Sequence, residues 1–282
     1  MIRSGNGGRR LAAIDEGPVD GPLVILLHGF PEFSYAWRNQ VGPLVDDGWR
    51  VLVPDQIGYN LSDKPVGLEN YDIDALADDV LRLAESAGYR TFSLVGHDWG
   101  GIVAWWLALR DPDRIERLAI LNAPHPATMT RYAMTHPTQM LRSWYILFFQ
   151  IPGLPEALLR AGGYRMARRL LTGTSRGDAF SRHDLDHYQE AWSRPGALTA
   201  MINWYRALRK RRKLRSERVR VPTMILWGER DAALEFPLAL AALRRCDQGR
   251  LFRFPNATHW LQHEEPEDVN HLLRAFLSSS PL

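Results

Sequence analysis

Uninterrupted apolar runs in the first half of this chain constrain its fold more than any other feature of the sequence. Such runs are typical of strands that are buried on both faces of a parallel sheet. Four of them occur before residue 124: "PLVILLHG" at 22–29, "WRVLVPD" at 49–55, "TFSLVGH" at 91–97 and "RLAILNA" at 117–123. Helical patterns separate the later runs: 73–84 and 101–110. This alternation predicts an α/β fold with a doubly wound, mostly parallel sheet.

The alternation breaks at Pro124, and from there to about residue 218 the chain shows helical patterns and no convincing strand. The strongest of these patterns are "LRSWYILFFQ", "GYRMARRLLTG" and "ALTAMINWYRALRKRRKLR". Two strands and a closing helix follow: 221–229, 249–256 and 266–278. We therefore predict an α/β core that is interrupted by an inserted helical cap. The predicted core comprises 1–123 and 219–282, and the predicted cap comprises 124–218.

Composition narrows the class of protein. The 282 residues are 45% hydrophobic and 24% charged, as in soluble globular proteins. A single cysteine, Cys246, excludes an internal disulfide framework. The start, "MIRSGNGGRR", lacks the apolar segment of a secretory signal, and the run "WYILFFQI" at 144–151 is far shorter than the roughly 20 residues that span a bilayer. These features predict a cytoplasmic protein without a transmembrane segment.

Charge gives little information about partners. The formal net charge of +3 is too small to indicate a nucleic-acid partner. The stretch 206–220 is locally basic, with nine Lys or Arg and one Glu. We interpret it as a solvated helix end and linker, with a membrane-surface patch as the alternative. A homo-oligomer is compatible with the sequence, which carries no pattern that decides it.

The stretch "LVGHDWGGIV" at 94–103 carries an acid at the apex of a turn between a strand and a helix. A hydrolase elbow of the form small-x-nucleophile-x-small normally has serine at this position, and here the residue is Asp98. Gly96, Gly100 and Gly101 allow a close approach of neighbouring backbone. The following helix directs its first N–H groups at the turn, which favours an ionised carboxylate.

An aspartate nucleophile indicates different chemistry from a serine nucleophile. Attack by serine on saturated carbon would leave an ether, which water does not readily cleave. Attack by a carboxylate leaves an ester, which an activated water can hydrolyse. Asp98 therefore predicts the opening of a C–O or C–halogen bond through a covalent alkyl-enzyme ester. Taken alone, Asp98 could instead be a structural acid in a tight turn.

The second half-reaction needs a base, an acid that orients it and an oxyanion hole. The candidate base is His259 in "NATHW", and the candidate orienting acid is Asp231 in "WGERD", with Glu229 as a nearby rival. The order nucleophile, acid, histidine along the chain is that of α/β hydrolases. The candidate oxyanion hole consists of the backbone N–H groups of Phe30, in "HGFPE", and Trp99.

With these residues identified, the chain resembles the epoxide hydrolases of the α/β-hydrolase fold over nearly its whole length. The matching stretches are "LLHGFPEFSYAWRNQ", "PDQIGYNLSDKP", "LVGHDWGG", "FFQIPGLPE", "INWYR", "ILWGERDAAL" and "THWLQHEEPEDVN". The resemblance implies that fold and a supporting motif around Phe30 formed by His28, Gly29 and Pro31. It also implies a cis peptide bond between Phe30 and Pro31.

The resemblance further implies that two cap tyrosines hydrogen-bond the epoxide oxygen, at the positions of Tyr145 and Tyr205. Ring opening generates an alkoxide, and a phenol with a pKa of about 10 can donate to it at neutral pH. We therefore predict an epoxide hydrolase whose partners are a small epoxide and water and whose product is a vicinal diol. Neither an organic cofactor nor a metal is implied, since the spacing of the nine histidines indicates no metal site.

Two other functions stay open. A haloalkane or haloacid dehalogenase shares the aspartate nucleophile, and Trp99 could hold a departing halide, while Ile57 replaces an arginine of many epoxide hydrolases. Against it, His28-Gly29 replaces the Asn or Glu usual in haloalkane dehalogenases, and Trp99 replaces the arginine that follows the nucleophile in haloacid dehalogenases. A non-catalytic ligand-binding protein of the same fold is the third hypothesis. Thermal stabilisation of the protein by ligands, with no product formed, would favour this third hypothesis.

Overall fold

The computed structural model describes residues 2–3, 9–208 and 216–279 of the chain. The strands of its central sheet are β1 (Ile2–Arg3), β2 (Ala12–Glu16), β3 (Leu23–Leu27), β4 (Arg50–Pro54), β5 (Phe92–His97), β6 (Ile115–Leu121), β7 (Thr223–Gly228) and β8 (Gly249–Phe254). They lie side by side in the order β1-β2-β4-β3-β5-β6-β7-β8. Each strand predicted from an apolar run is present, so the predicted fold class is confirmed.

The sheet is parallel from β4 to β8, whereas β1 and β2 are antiparallel to their neighbours. On β3, Ile25 and Leu27 belong to one hydrophobic core, and Val24 and Leu26 belong to the other. Both faces of this strand are therefore covered, which explains its unbroken apolar run. Strands β1 and β2 were not predicted, because β1 has only two residues and "AAIDE" of β2 is short and ends in two acidic residues.

Twelve α-helices occur in the described part of the chain. They are α1 (Arg38–Asp46), α2 (Ile73–Ser86), α3 (Trp99–Arg110), α4 (Pro126–Thr135), α5 (Pro137–Arg142), α6 (Trp144–Phe148), α7 (Leu154–Thr172), α8 (Arg182–Ser193), α9 (Ala197–Ala207), α10 (Pro237–Leu243), α11 (Leu261–Glu264) and α12 (Pro266–Ser278). The predicted helices at α2, α3 and α12 are confirmed. Helix α1 was missed because it contains Gly42 and Pro43, both of which normally interrupt helices.

The inserted helical cap is confirmed, since α4 to α9 follow β6 and precede β7 without a strand among the described residues between them. Hydrogen bonds from α8 and α9 attach the cap to loops of the sheet. The Trp192 indole N–H donates to the carbonyl of Pro31 (2.6 Å), and the Trp204 indole N–H donates to the carbonyl of Ile57 (3.0 Å). The basic stretch 206–220 is described only in part, because 209–215 lie outside the described residues.

Among the residues that the structure describes, no helix combines the length and apolar character needed to cross a membrane.

Candidate active site

The candidate site lies where the parallel strands end. Phe30 follows β3, Asp98 follows β5, Asn122 follows β6, Asp231 follows β7 and His259 follows β8. Because the carboxyl ends of parallel strands meet at one edge of a sheet, these residues come from distant positions in the chain to the same place.

Asp98 occupies a strained turn. Its φ of 51° lies in the left-handed region that non-glycine residues rarely adopt. Small neighbours are required around it: a Cβ on Gly29 would lie 2.4 Å from the Cβ of Asp98, and a Cβ on Gly100 would lie 2.2 Å from the carbonyl oxygen of Leu27. The glycines predicted to allow close approach therefore have a steric reason, and they hold the carboxylate above the end of the sheet.

One oxygen of Asp98 is held by backbone. The Phe30 N–H donates to Oδ1 of Asp98 over 2.8 Å. The peptide bond between Phe30 and Pro31 is cis, as the resemblance implied. The loop is anchored from below by His28, whose Nε2 accepts from the Gln56 N–H (3.0 Å) and whose Nδ1 donates to the Gly29 carbonyl (3.0 Å). The Trp99 half of the oxyanion hole stays a prediction.

His259 lies between the two aspartates. Its Nδ1 donates to Oδ2 of Asp231 over 2.6 Å, and its Nε2 lies 3.5 Å from Oδ2 of Asp98. Asp231 is itself oriented by the backbone N–H groups of Ala233 (2.7 Å) and Leu234 (3.0 Å), both of which donate to its Oδ1. The structure therefore places a histidine that is already oriented by one carboxylate next to a second carboxylate.

Charges couple these three side chains. Burial would raise the pKa of Asp231, but the adjacent His259 and the hydrogen bonds from His259 and Asn122 hold that pKa below its usual value. Burial would lower the pKa of His259, but Asp231 and then Asp98 raise it well above its usual value. The rival acid Glu229 is engaged elsewhere, since Arg253 donates to it over 2.6 Å.

Tyr145 and Tyr205 come together from α6 and α9. Their ring centroids are 5.9 Å apart in an edge-to-face arrangement, and the Tyr205 ring also packs edge-to-face on Trp99 at 5.0 Å. Burial, together with the nearby charge of Asp98, raises the pKa of both phenols well above the usual value. Both hydroxyls therefore stay protonated at neutral pH and can act as hydrogen-bond donors.

The three coupled side chains and the two tyrosines line one cavity of about 320 Å³. The polar members are Asp98, Tyr145, Tyr205, Asp231 and His259, together with Arg142 and Thr174. Most of the remaining lining is apolar or aromatic, with Trp144, Phe149, Leu170 and Trp260 among its members. An apolar chamber with a few converging polar groups is typical of a site for a small organic molecule.

Sequence reasoning missed Asn122, which supports the acid. Its side-chain amide donates to Oδ2 of Asp231 (2.7 Å), and its Oδ1 accepts from the Gly228 N–H (2.8 Å). Asn122 is fully buried and has a φ of 38°, a conformation that asparagine tolerates better than most residues. Its position directly after β6 is the signal that could have identified it, because the other site residues also follow strands.

A buried network around Glu32 was also missed. His263 Nε2 donates to Glu32 Oε1 (2.7 Å), and the Tyr188 hydroxyl of the cap donates to the same oxygen (2.7 Å). His97, which precedes Asp98, lies 3.4 Å from Glu32 Oε2 and donates from Nε2 to the carbonyl of His259 (2.8 Å). Glu32 belongs to the "HGFPE" stretch and His97 to the elbow, so the recognised motifs already contained both.

No group of three or more His, Cys, Asp or Glu side chains able to hold a metal ion occurs in the part of the chain that the structure describes.

Comparisons with known proteins agree with this architecture. A family model described as the alpha/beta hydrolase fold matches residues 22–266. The chain is 46% identical over 264 residues to the AB hydrolase superfamily protein YfhM of Bacillus subtilis, covering 93% of this chain and 92% of that protein. It is 37% identical over 282 residues to human Epoxide hydrolase 4, covering 98% and 78% of the two chains. A crystal structure of an epoxide hydrolase from Bacillus megaterium with an inhibitor superposes with a TM-score of 0.90 at 30% identity and 99% coverage of both chains.

Proposed function

The chain belongs to the α/β-hydrolase fold family, and on that premise we propose that it is an epoxide hydrolase that forms a vicinal diol through a covalent ester on Asp98. We propose residues 1–123 and 219–282 as its core and 124–218 as its cap, with the substrate bound between them. Its curated relatives at 37% and 38% identity, from human and mouse, are both named Epoxide hydrolase 4. We retain the prediction of a cytoplasmic location.

Ring opening uses the two cap phenols. The epoxide oxygen accepts hydrogen bonds from Tyr145 and Tyr205, whose raised pKa values keep them protonated until the C–O bond breaks. The developing alkoxide then takes a proton from this pair. The less hindered ring carbon faces Asp98 on the side opposite the phenols, within the same mostly apolar cavity.

The two oxygens of Asp98 have different roles. Oδ1 accepts the Phe30 N–H, whereas Oδ2 faces His259 and is the attacking atom. Attack forms the Oδ2–carbon bond as the ring C–O bond breaks. Oδ1 thereby becomes the ester carbonyl oxygen, already next to the donor that stabilises it as an oxyanion in the next step.

Hydrolysis of the ester follows from the same geometry. Alkylation removes the negative charge of Asp98, so one of the causes that raise the pKa of His259 disappears. His259, oriented by Asp231, gives up its proton, which restores the phenol that protonated the alkoxide, and then takes a proton from water, which attacks the Asp98 carboxyl carbon. The bond from that carbon to Oδ2 breaks as the departing oxygen takes the second proton of the water. The diol leaves with the original carboxylate oxygen, and Asp98 retains the oxygen of water and returns to a carboxylate.

The single observation that carries this proposal is the pair of contacts made by Asp98. A merely structural acid has no need of an oriented His259 at 3.5 Å from one oxygen, a backbone donor at 2.8 Å from the other and two protonated phenols in the same cavity. This arrangement supports nucleophilic chemistry at Asp98.

The test is a His259→Gln variant incubated with a terminal aryl epoxide. The variant should form the ester but hydrolyse it very slowly, so mass spectrometry should find the substrate mass added to the peptide that contains Asp98. His271→Gln, which changes an exposed histidine of α12, is the matched control and should turn over without an adduct. If His259→Gln consumes epoxide and no peptide gains mass, the covalent mechanism is wrong.

A parallel assay with the wild-type protein distinguishes an epoxide hydrolase from a dehalogenase and from a non-catalytic binding protein. It measures diol from the aryl epoxide and chloride from a chloroalkane. Diol without chloride supports the proposal, and chloride as the main product assigns the same nucleophile to a dehalogenase. Ligand-induced thermal stabilisation with neither product would indicate a non-catalytic binding protein.

A further inference from the structure

The cap carries an unusual apolar surface. Of the 15 large apolar side chains that are exposed in the described part of the chain, nine lie between residues 134 and 166. Six of them form what we call the apolar cap edge: Met140, Leu141, Trp144, Leu147, Ile151 and Leu154. Helix α6 shows this best, because four of the five residues in its sequence "WYILF" are apolar, none of the five is fully buried, and Trp144 and Leu147 are exposed. A helix that is apolar all round is normally buried, so this surface requires a partner.

The sequence segments that form and adjoin this surface are strongly basic. Residues 126–172 contain six arginines and one acidic residue, and residues 206–220 contain nine Lys or Arg and one acidic residue, Glu217. The remainder of the chain holds 20 basic and 30 acidic side chains, so the modest net charge hides a pronounced separation. Arg160, Arg165 and Arg169 of α7 are exposed. The surface therefore favours an anionic partner.

The basic stretch begins beside the apolar cap edge. Arg206, its first residue, donates from Nε to the carbonyl of Phe149 (2.9 Å) and from Nη2 to the carbonyl of Ile151 (2.9 Å). The anchored end of α9 thus brings the start of this basic segment to the apolar residues. Apolar side chains next to several Lys and Arg are the composition of segments that lie at a lipid interface.

The cavity opens at the same surface. Trp144 and Arg142 both line the cavity and are both exposed, so they stand at its mouth. Trp144 is also part of the apolar cap edge. A molecule held by this surface therefore lies against the opening that leads to Asp98.

We propose that the apolar cap edge and the adjacent arginines dock the protein peripherally on an anionic lipid bilayer, so that the cavity mouth faces the lipid. The apolar side chains insert at the level of the headgroups, and the arginines contact anionic phosphates. Apolar epoxides concentrate in lipid and reach the cavity without crossing bulk water. This delivery rests on the proposed function, whereas the docking does not.

A second copy of the chain fits this surface less well. A two-fold symmetric contact through the apolar cap edge would place the same arginine-rich region of each copy against its equivalent. Like charges would then face each other, which opposes association. An anionic bilayer satisfies both the apolar and the basic parts of the surface.

The experiment measures sedimentation of the full-length protein with vesicles of phosphatidylglycerol and phosphatidylcholine, compared with phosphatidylcholine alone. The wild type should bind the anionic vesicles, and binding should weaken as salt rises to roughly 0.5 M. Leu141→Ser/Leu147→Ser removes two side chains that are 69% and 76% exposed and lie outside the cavity lining. This variant should bind roughly tenfold more weakly or worse.

Val19→Ser/Val66→Ser is the matched control, because these valines are 70% and 94% exposed in loops of the core. It should bind as the wild type does. Arg160→Glu/Arg165→Glu is a second, independent variant that should weaken binding to the anionic vesicles. Turnover of a water-soluble epoxide checks that each variant is folded and should be unchanged.

Absence of binding by the wild type, or equal binding by Leu141→Ser/Leu147→Ser, would overturn the proposal. A wild-type dimer in light scattering that this variant converts to a monomer would assign the surface to a second copy instead. Turnover of an epoxide dissolved in the vesicles distinguishes the two proposals. Loss of diol only with lipid-embedded substrate in the Leu141→Ser/Leu147→Ser variant supports docking, whereas binding without diol from any substrate contradicts the proposed function alone.

Discussion

The charge of Asp98 is tied to the protonation of His259. In the free protein, His259 lies between two carboxylates, which together raise its pKa well above the usual value despite burial. A protonated histidine is a poor base but a suitable neighbour for a carboxylate awaiting substrate. In the proposed mechanism, conversion of Asp98 to a neutral ester lowers the pKa of His259 at the step that requires a base. We therefore propose that protonated His259 accompanies the carboxylate before attack and that neutral His259 acts as the base afterwards.

We predict that Asp98→Asn lowers the pKa of His259, because it removes one of the two charges that raise it. NMR titration of the His259 ring in the wild type and the variant measures the difference. Glu229→Gln is the matched control, since that carboxylate follows β7, as Asp231 does, but pairs with Arg253. An unchanged His259 pKa in Asp98→Asn would mean that Asp98 does not control the base. Because His259 must be neutral to act as a base, we also expect ester hydrolysis to be lost as pH falls below the pKa of His259 in the alkylated protein.

The two phenols should act on ring opening and not on ester hydrolysis. Tyr145→Phe and Tyr205→Phe should each slow formation of the ester, and the double variant should slow it by about 10²- to 10⁴-fold, the usual range for general acid catalysis. Single-turnover kinetics separate the two steps. Tyr132→Phe, a cap tyrosine bonded to Glu235, is the control. Unchanged ester formation in the double variant would remove the tyrosines from the mechanism.

At the scale of secondary-structure elements, the ends of adjacent parallel strands position the residues that orient His259. Strand β7 ends next to Asp231, and β6 ends next to Asn122, whose amide bonds both Asp231 and the last residue of β7, Gly228. The register between the two strands therefore sets the orientation of the acid. His259, on the loop after β8, depends in turn on that acid.

We predict that Asn122→Gly slows ester hydrolysis roughly tenfold, the effect of losing one hydrogen bond to a charged group. Glycine keeps the positive φ accessible, so the variant removes the amide without straining the turn. The ester on Asp98 should then accumulate during turnover, as seen by mass spectrometry. Asn60→Gly is the matched control, because Asn60 also has a positive φ of 36° but bonds Asp55. Equal hydrolysis rates in both variants would show that Asn122 has no positioning role.

For the whole molecule, Glu32 joins the cap to the core. Its carboxylate is completely buried and accepts from Tyr188 of the cap and His263 of the core. Burial alone would raise its pKa, but the hydrogen-bonded rings of His263 and His97 lower it well below the usual value. A carboxyl whose pKa is lowered by folding adds stability above its unfolded pKa, and that stability is lost as pH falls through the folded pKa.

We predict that Glu32→Gln lowers the free energy of unfolding at pH 7 by about 1–3 kcal/mol, because it leaves buried partners imperfectly satisfied. The difference from the wild type should shrink as pH falls below the ordinary glutamate value of 4.5. Urea unfolding at a series of pH values measures it. The control is Glu190→Gln, which changes an exposed carboxylate of α8, the cap helix that carries Tyr188. It should have little effect at any pH. A constant difference for Glu32→Gln across this pH range would contradict the assignment.

Local pattern sufficed for much of the fold and for the candidate residues. Unbroken apolar runs identified the parallel strands, and helical spacing identified α2, α3 and α12, because periodicity reports directly which faces are buried. The elbow around Asp98 and the chain order of Asp98, Asp231 and His259 selected candidates for one reaction, since the chemistry of a carboxylate nucleophile restricts its partners.

Tertiary structure alone decided how those residues meet. The support of Asp231 by Asn122, the link from Glu32 to the cap, the distance between the phenols and the exposure of α6 all depend on segments that are far apart in the chain. Periodicity shows that a residue is apolar or polar, but it does not show which distant surface that residue faces. For the same reason "WYILF" has the pattern of a buried segment, and only the packing of the cap leaves Trp144 and Leu147 exposed.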